Sequence, residues 1–524
     1  MLAYQNAIGG YTQQGYAFQG LNRNPFGQAG AFFDMENLTG EDAPVTRTRD
    51  RRRRLRTLLP GAELFGHDAL GWISGTKVYY GGELVGTVTA GRHQIVPMGA
   101  RFVIFPDKKA YNTQTGQMET LENRVNISGT VNYTACDLFG EPVEAGAAVY
   151  AKLSATGIGA GFSENDVVNI TGSTVVGDGY YQIYTVTENS FVILATLDED
   201  ETAGTGVSLA RDVPDMDFVT ECDNRLWGCS SQNHEVYACA LGDPRNWRKY
   251  QGLANDSYAV TVGSPGAFTG AAVHNGYVLF FKSDRILKLF GSRPSNYQLT
   301  DTEAAGVEAG SDGSLETMEG ALFYLSPDGV MAYDGGLPGS VHGAFFGQRF
   351  ENAVSCFGFG ALYVSMVTGG KRCLYTFRDG LWYREDESGF TSLHLANGTL
   401  YGVDGLGNLW RLKGNDDTYA GEDAEDEAQI PWTAETGDLD MMQLFKKHVR
   451  KIQVRYALAE GSTMTISVST DGGEFKPYFN RTGAKQVQAE TYNIIPKRCD
   501  HMRIRLSGQG DVKLFNLYYT VDAG

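Results

Sequence analysis

The sequence predicts an all-β protein built around a β-propeller. Short strands rich in aromatic and branched side chains recur between Gly or Asn turns, as in residues 275–281 and 319–325. The turn glycines Gly276, Gly320, Gly360 and Gly398 lie roughly 40 residues apart, which is the length of a propeller blade. Helical periodicity is nearly absent, and residues 441–453 are the best candidate for a helix. The aromatic content of 12% and the 66 glycines suit short strands joined by tight turns.

The propeller prediction covers two separate parts of the chain. Residues 1–60 have little periodicity and are interpreted as an N-terminal arm. Residues 61–119 contain the first blades, and residues 216–414 contain the remaining ones. Together they predict about seven blades, with a range of roughly six to eight.

Three other segments do not follow the blade pattern. Residues 120–215 alternate around a Gly-Asp-Gly turn and predict a small inserted β-barrel or β-sandwich. Residues 415–429 are acidic and poor in large apolar side chains, which predicts an exposed linker. Residues 430–524 alternate with a period of two and contain an Asp471-Gly turn, which predicts a C-terminal β-sandwich.

The charge of the chain argues against tight nucleic-acid binding. The net charge is −18, whereas proteins that grip phosphates need clustered Lys and Arg. The exception is a run of seven arginines in ten residues, which we interpret as a docking site for an acidic partner: Arg47, Arg49, Arg51, Arg52, Arg53, Arg54 and Arg56. The alternative is that this run pairs with the excess acid of its own chain.

Two acidic segments are predicted to face a channel or a basic partner, because acidic walls repel phosphate and attract cations. Their residues are Asp198, Glu199, Asp200 and Glu201, and Glu422, Asp423, Glu425, Asp426 and Glu427.

No motif in the chain predicts catalysis. The sequence lacks a Gly-x-Ser-x-Gly elbow, a His-Glu-x-x-His pair, a phosphate-binding loop and a dinucleotide fingerprint. Ser469-Thr-Asp471-Gly-Gly resembles the Asp-box turn of sialidases but occurs once, and a tight hairpin explains it. The seven cysteines form no disulfide framework, and no apolar run is long enough to cross a membrane. We therefore expect no enzyme activity, no cofactor, no metal site and no membrane insertion.

Three segments together resemble tail proteins of tailed bacteriophages. They are residues 33–38 with Pro44 and the arginine run, residues 72–80 continuing to 99–105, and residues 495–513. Within that group the chain is similar to the propeller-bearing nozzle, or tail tubular, proteins of short-tailed phages. The resemblance implies a virion structural protein made in the bacterial cytoplasm and assembled as a hexameric ring around the DNA exit channel. It also implies docking to portal-side tail proteins, fibres or spikes, and passage of genomic DNA without specific binding.

Two other functions stay open at this stage. A propeller can be a binding module that recognises a host-surface glycan or a receptor, and aromatic side chains near its turns can stack on sugars. A glycosidase on the same scaffold is the third hypothesis, because the spatial separation of two carboxylates decides that chemistry and one sequence does not reveal it.

Overall fold

The computed structural model describes residues 11–16, 18–24, 30–146, 149–439, 446–483, 487–493 and 498–522. The regular elements in these ranges are β-strands and three short 3-10 helices, Pro294–Asn296, Asp312–Ser314 and His342–Phe345. The prediction of an all-β chain is therefore confirmed.

The strands of the first 120 residues come in three groups. The N-terminal group is β1 (Tyr11–Tyr16), β2 (Phe32–Glu36), β3 (Leu38–Asp42), β4 (Val45–Thr48) and β5 (Arg53–Thr57). The next group is β6 (Glu63–Gly66), β7 (Leu70–Ser74), β8 (Lys77–Tyr80) and β9 (Glu83–Thr87). The third is β10 (Gln94–Met98), β11 (Arg101–Phe105), β12 (Lys109–Asn112) and β13 (Gln117–Thr120).

A group of six strands follows, and after it come two further groups of four strands each. The long-strand group is β14 (Asn123–Cys136), β15 (Tyr150–Ser154), β16 (Val167–Thr171), β17 (Gly179–Thr187), β18 (Ser190–Leu194) and β19 (Glu201–Arg211). The groups of four are β20 (Phe218–Cys222), β21 (Arg225–Ser230), β22 (Glu235–Ala238) and β23 (Tyr258–Thr261), and β24 (Gly270–His274), β25 (Tyr277–Lys282), β26 (Arg285–Phe290) and β27 (Gln298–Glu303).

The second half of the chain continues with short strands and ends with longer ones. The short strands are β28 (Glu316–Met318), β29 (Ala321–Ser326), β30 (Gly329–Tyr333), β31 (Gly339–Ser340), β32 (Glu351–Gly358), β33 (Ala361–Thr368), β34 (Lys371–Arg378), β35 (Leu381–Asp386), β36 (Phe390–Ala396), β37 (Thr399–Asp404), β38 (Asn408–Lys413) and β39 (Glu425–Asp426). The final group is β40 (Pro431–Thr436), β41 (Lys447–Leu458), β42 (Thr463–Thr470), β43 (Lys476–Thr482), β44 (Gln488–Asn493), β45 (Arg498–Cys499), β46 (Met502–Gln509) and β47 (Val512–Asp522).

The chain divides into two compact units. The first unit comprises residues 1–75, 80–82 and 307–524, and the second comprises residues 76–79 and 83–306. The meander β6-β7-β8-β9 contains the point at which the chain passes from one unit to the other.

The first unit contains three blade-like antiparallel sheets. Their strand orders are β28-β29-β30-β31, β32-β33-β34-β35 and β36-β37-β38-β5-β39. Central strands such as β33, in which six successive residues are buried, are apolar throughout because both faces of the sheet are covered. The turns before them need a left-handed backbone, and Asn397 (φ 44°) with Gly398 (φ 68°) supplies it between β36 and β37.

The rest of the first unit is a pair of sheets that joins both ends of the chain. One sheet has the order β2-β40-β46-β42-β43; the other has the order β3-β4-β47-β41-β44, with β1 added beside β47 and β45 beside β41. Their facing side chains share one buried core, which includes Met35, Leu38, Ile504 and Leu514. Strand β46 alternates buried and half-buried residues, as expected for a strand with one wet face.

Three predictions for this unit differ from the structure. Residues 1–60 are not a free arm, because β2 pairs with β40, β4 with β47 and β5 with β38. Residues 447–453, predicted to be helical, belong to strand β41, where Ile452, Val454 and Tyr456 alternate into the core; residues 441–445 lie outside the described residues. Residues 415–429 are not only a linker, because β39 pairs with β5.

The second unit contains a closed barrel and three four-stranded sheets. The barrel order is β14-β15-β18-β17-β16-β19, and the sheets are β10-β11-β12-β13, β20-β21-β22-β23 and β24-β25-β26-β27. The barrel lies within residues 120–215 and has its own buried core, which includes Tyr133, Leu153, Ile183 and Phe191. Neighbouring sheets share separate cores, for example Trp227 of β21 with Phe280 of β25.

Candidate functional site

The arginine run lies between the sandwich and the last blade-like sheet of the first unit. Residues 49–52 connect β4 of the sandwich to β5, the strand that completes the β36–β38 sheet. Two of these side chains, Arg49 and Arg52, are only 5% and 4% exposed. A buried guanidinium is tolerated when carboxylates and hydrogen bonds replace its water. The surrounding chain supplies both.

Arg49 forms a bidentate ion pair with the acidic segment that contains Glu427. Its Nη1 and Nη2 donate to the two carboxylate oxygens of Glu427 at 2.7 and 2.6 Å. Its Nε donates to Asn37 Oδ1 at 2.7 Å, and Asn37 itself adopts a left-handed backbone with φ 57°. Burial raises the pKa of Glu427, but the hydrogen bond and charge of Arg49 outweigh that effect, so the pKa is lowered.

Arg52 binds the carboxylates at the end of β35. Its Nη2 donates to Glu385 Oε2 at 2.6 Å and its Nη1 donates to Asp386 Oδ2 at 2.8 Å. Its backbone N–H donates to Glu427 Oε2 at 3.0 Å. Burial raises the pKa of Asp386, but the charges of Arg52 and Arg49 outweigh burial and lower the pKa to about 2.

The outer arginines also find partners within the chain. Arg47 pairs with Glu41 and with Asp50 (2.9 Å), and Arg53 pairs with Asp426 (3.1 Å). Arg54 pairs with Glu425 (3.3 Å). The Nε of Arg56 donates to the Tyr419 carbonyl at 2.8 Å, and its guanidinium lies 5.4 Å from the ring centroid of Trp72.

The structure therefore brings together two segments that the sequence predicted as separate partner sites. Six of the seven arginines contact their own chain, and Glu425, Asp426 and Glu427 supply three of the carboxylates. Asp423 accepts a hydrogen bond from Thr57 Oγ1 at 3.0 Å, and Glu422 is exposed. These contacts match the alternative interpretation, in which the arginine run pairs with acidic residues of its own chain. Docking of an external partner on the buried Arg49 and Arg52 is incompatible with their burial.

Arg51 is different because its side chain is exposed to solvent. Within the described residues no carboxylate lies in ion-pair distance of it. It lines two cavities of about 830 and 390 Å³ that share Arg51 and Asp50. The larger cavity is also lined by residues 457–459 and 511–513.

The smaller cavity combines cations with an aromatic ring. Besides Arg51 it is lined by Arg411, Lys413, Asn415 and Phe359. Phe359 is 38% exposed, and Lys413 Nζ lies 5.4 Å from the centroid of its ring. Such a cavity can place a cation against an anionic group of a ligand and a ring against an apolar face of the same ligand.

The acidic residues of the second unit lie elsewhere. Asp198, Glu199, Asp200 and Glu201 are exposed at one end of the barrel. Asp200 Oδ1 accepts a hydrogen bond from the Ala145 backbone N–H at 2.5 Å, so this carboxylate orders the neighbouring loop.

Sequence reasoning missed a buried ionic cluster at the opposite end of the barrel. Asp166 is 0% exposed and forms ion pairs with Arg211 and with Arg245 (3.8 Å). It also accepts a hydrogen bond from the Ser163 backbone N–H at 2.8 Å. Asn246, on the connection between β22 and β23, donates to the same carboxylate at 3.4 Å. The cluster ties the barrel to the β20–β23 sheet. A lone Asp before an apolar strand gives no sequence signal for such a role.

The Asp-box-like turn and the cysteines, which stand out in the sequence, have structural roles. Asp471 Oδ1 accepts the backbone N–H groups of Asp500 and His501 at 2.7 and 3.4 Å, so the Asp-box-like turn is a hairpin that fixes the neighbouring chain. All seven cysteines are buried thiols. The described residues contain no His, Cys, Asp and Glu group arranged to hold a metal ion. Among them no helix is long and apolar enough to cross a membrane.

Comparisons with known proteins do not assign a family. No family model and no curated protein matches the chain. Among solved structures, PorZ, a surface component of the type-IX secretion system of Porphyromonas gingivalis, is 11% identical with a TM-score of 0.27, over 82% of this chain and 70% of PorZ. An exo-β-1,3-galactanase from Phanerochaete chrysosporium is 9% identical with a TM-score of 0.22, over 56% of this chain and 93% of the galactanase.

A third solved structure is equally remote from this chain. The glycoside hydrolase family 43 arabinoxylan arabinofuranohydrolase from Bacillus subtilis is 12% identical with a TM-score of 0.16, over 54% of this chain and 93% of the hydrolase. Identities and TM-scores this low do not assign a function to the chain.

Proposed function

We propose that this protein is a non-enzymatic structural component of a larger assembly, namely a phage tail protein that forms a ring or hub. We also propose that the four-stranded meanders are the blades of one propeller of about seven blades. Six of them follow one another as β6–β9, β10–β13, β20–β23, β24–β27, β28–β31 and β32–β35, and the last is β36–β38 completed by β5. The barrel is then an insert between the second and third blades.

The observation that carries this proposal is how the N-terminal segment is held. Strands β2 to β4 belong to the sandwich, and β5 belongs to the last blade-like sheet. The buried arginines Arg49 and Arg52 lie between these two attachments, in the connection from β4 to β5. Because its strands pair with both the sandwich and the last blade-like sheet, this segment can detach only if the hydrogen bonds to both sheets break. That requirement slows unfolding. Such kinetic stability suits a component that is assembled once and must then persist.

The test is the mass of the purified protein in solution by light scattering, followed by electron microscopy of the same sample. We expect a ring of about six copies of the 57.1 kDa chain with an axial hole wide enough for duplex DNA. Arg51→Glu is expected to weaken docking of an acidic tail partner, because Arg51 is the exposed member of the run. A monomer at all concentrations, with no ring on addition of tail proteins, contradicts the proposal.

A second function, binding of an acidic host-surface glycan, is supported by the 390 Å³ cavity. Arg51 would receive a carboxylate or sulfate, because the neighbouring Arg411 already pairs with Asp417 at 2.9 Å. The Phe359 ring would stack on a sugar face, and Asn415 would hydrogen-bond hydroxyl groups. The exposed aromatic ring beside an unpaired arginine is the specific observation that favours it.

Isothermal titration calorimetry with oligogalacturonate and with a neutral galactose oligomer tests this second function. We expect the acidic oligomer alone to bind, and expect Arg51→Ala and Phe359→Asn each to weaken binding by about tenfold. Asparagine is chosen because residue 359 has φ 53°, a conformation that asparagine tolerates. Leu337→Ala, at an exposed position outside the cavity, is the matched control. Equal binding of both oligomers, or no effect of either cavity variant, rules out this site.

A further inference from the structure

One end of the barrel in the second unit carries an unusual surface. Cys136 pairs with Tyr150, Tyr150 with Leu194, and Thr134 with Glu201. The loops 137–149 (described for 137–146 and 149) and 195–200 therefore emerge at the same end of the barrel. The loop 172–178 emerges there too, because β16 runs antiparallel to β19, from the level of Ala210 towards Glu201. The chain enters at Asn123 and leaves at Arg211, at the opposite end. We define these three loops, together with Leu194 and Glu201, as the barrel tip; residues 147–148 are outside the described part of the chain.

The barrel tip exposes large apolar side chains to solvent. Phe139 is 76% exposed, Val149 is 55% exposed and Leu194 is 53% exposed, and Leu138 and Val143 are also exposed. The barrel core beneath them is filled by other residues, such as Tyr133, Leu153 and Ile193. These five side chains are therefore not needed to close the barrel. Several large exposed apolar side chains at one end of a barrel favour burial against another molecule.

The charged residues of the three tip loops all have the same sign. The tip contains eight acidic residues, Asp137, Glu141, Glu144, Asp178, Asp198, Glu199, Asp200 and Glu201, and its three loops contain no Lys or Arg. The nearby Lys152 of β15 donates from Nζ to the Gly140 carbonyl at 3.3 Å. Phosphate-bearing and other anionic partners are therefore repelled, whereas cations are attracted.

The tip loops are held in shape by their own carboxylates. Asp137 Oδ1 accepts the backbone N–H groups of Phe139 and Glu141, both at 2.9 Å. Asp178 Oδ1 accepts the Gly172 N–H at 2.8 Å, and Asp200 binds the Ala145 N–H as described above. Each of these carboxylates keeps a second oxygen for other contacts. A pre-ordered surface loses little conformational freedom on binding.

We propose that the barrel tip is a docking surface for a protein whose contact surface has apolar side chains surrounded by Lys or Arg. The apolar group supplies the burial and the eight carboxylates select a basic partner and accelerate the encounter. This surface lies in the second unit, and the proposal is independent of the function assigned to the arginine cluster and its cavities.

The test uses fluorescence anisotropy with a labelled helical peptide of leucine and lysine. The peptide is expected to bind the full chain, and the double variant Phe139→Ser with Leu194→Ser is expected to weaken binding by about tenfold or more. Asp198→Lys with Glu199→Lys is expected to weaken it similarly and to reduce its salt dependence. These positions are exposed, so we expect the thermal unfolding midpoint of each variant to stay near that of the parent chain.

Matched controls separate the tip from the general acidity of the protein. Leu337→Ser and Glu422→Lys change an exposed apolar and an exposed acidic residue of the first unit, and binding is expected to be unchanged. A lysine–serine peptide of equal charge is expected to bind more weakly than the leucine–lysine peptide. The proposal is overturned if the peptide does not bind, if the controls weaken binding as much as the tip variants, or if both peptides bind equally.

Discussion

Replacing Arg52 by leucine is expected to destabilise the protein by about 3–5 kcal/mol, whereas Arg51→Leu is expected to change stability by about 0.5 kcal/mol or less. The two residues are adjacent in sequence and identical in chemistry, but Arg52 is 4% exposed and Arg51 is exposed. Removing Arg52 takes from Glu385 and Asp386 their nearest cation and leaves only the more distant Arg49, at 3.9 and 3.1 Å. Urea unfolding of the parent and both variants measures the difference.

The same comparison has an expected pH dependence. The pKa of Asp386 is lowered to about 2 in the folded chain, from an unfolded value near 3.9. A lowered carboxyl pKa stabilises the fold above the unfolded pKa, and that stability is lost as pH falls through the folded pKa. The difference between the parent and Arg52→Leu should therefore be full at neutral pH and shrink between about pH 4 and pH 2. Equal destabilisation by Arg51→Leu and Arg52→Leu, or a difference that grows in acid, contradicts the buried cluster.

Asp166→Ala is expected to destabilise the barrel by about 3–5 kcal/mol, because it leaves Arg211 buried without its carboxylate. The matched control is Glu164→Ala, two residues away and exposed, for which we expect a change of about 0.5 kcal/mol or less. Hydrogen exchange measured by mass spectrometry gives the location of the effect. Peptides from β14 to β19 should exchange faster, since local units open independently.

Two outcomes of the Asp166→Ala exchange experiment contradict this prediction. If Asp166→Ala leaves barrel exchange unchanged, the ionic cluster does not hold the barrel in place. If exchange rises equally in the sheets of the first unit, the barrel is not an independent folding unit. The Glu164→Ala control measures the general effect of removing a carboxylate from this loop.

Local patterns were enough to predict much of the fold. The strands β25, β29, β33 and β37 follow turns with Gly276, Gly320, Gly360 and Gly398, because aromatic and branched residues between tight turns favour short buried strands. The altered pattern of residues 120–215 marked the segment that contains the barrel. The period of two in residues 463–470 and 502–509 marked β42 and β46.

Local patterns failed where two distant segments had to be combined. The helix predicted from residue 441 overlaps β41, whose alternation begins only at Ile452 after a bulge between Val449 and Lys451. The N-terminal strands looked irregular because β2 and β5 are single strands added to sheets formed by distant parts of the chain, and the β3–β4 pair joins such a sheet through β4. Periodicity within a short window carries no information about such partners.

Local sequence patterns are enough to show that this chain is all-β, where its turns lie, and that it carries one basic run in an acidic background. Only the tertiary structure decided that Arg49 and Glu427, 378 residues apart, are partners and that Arg51 is the exposed member of the run. Charge is a property of a residue, but its free energy depends on which opposite charge lies within a few ångströms and on whether water is excluded. Folding sets both, and so it turned two apparent docking sites into one internal cluster.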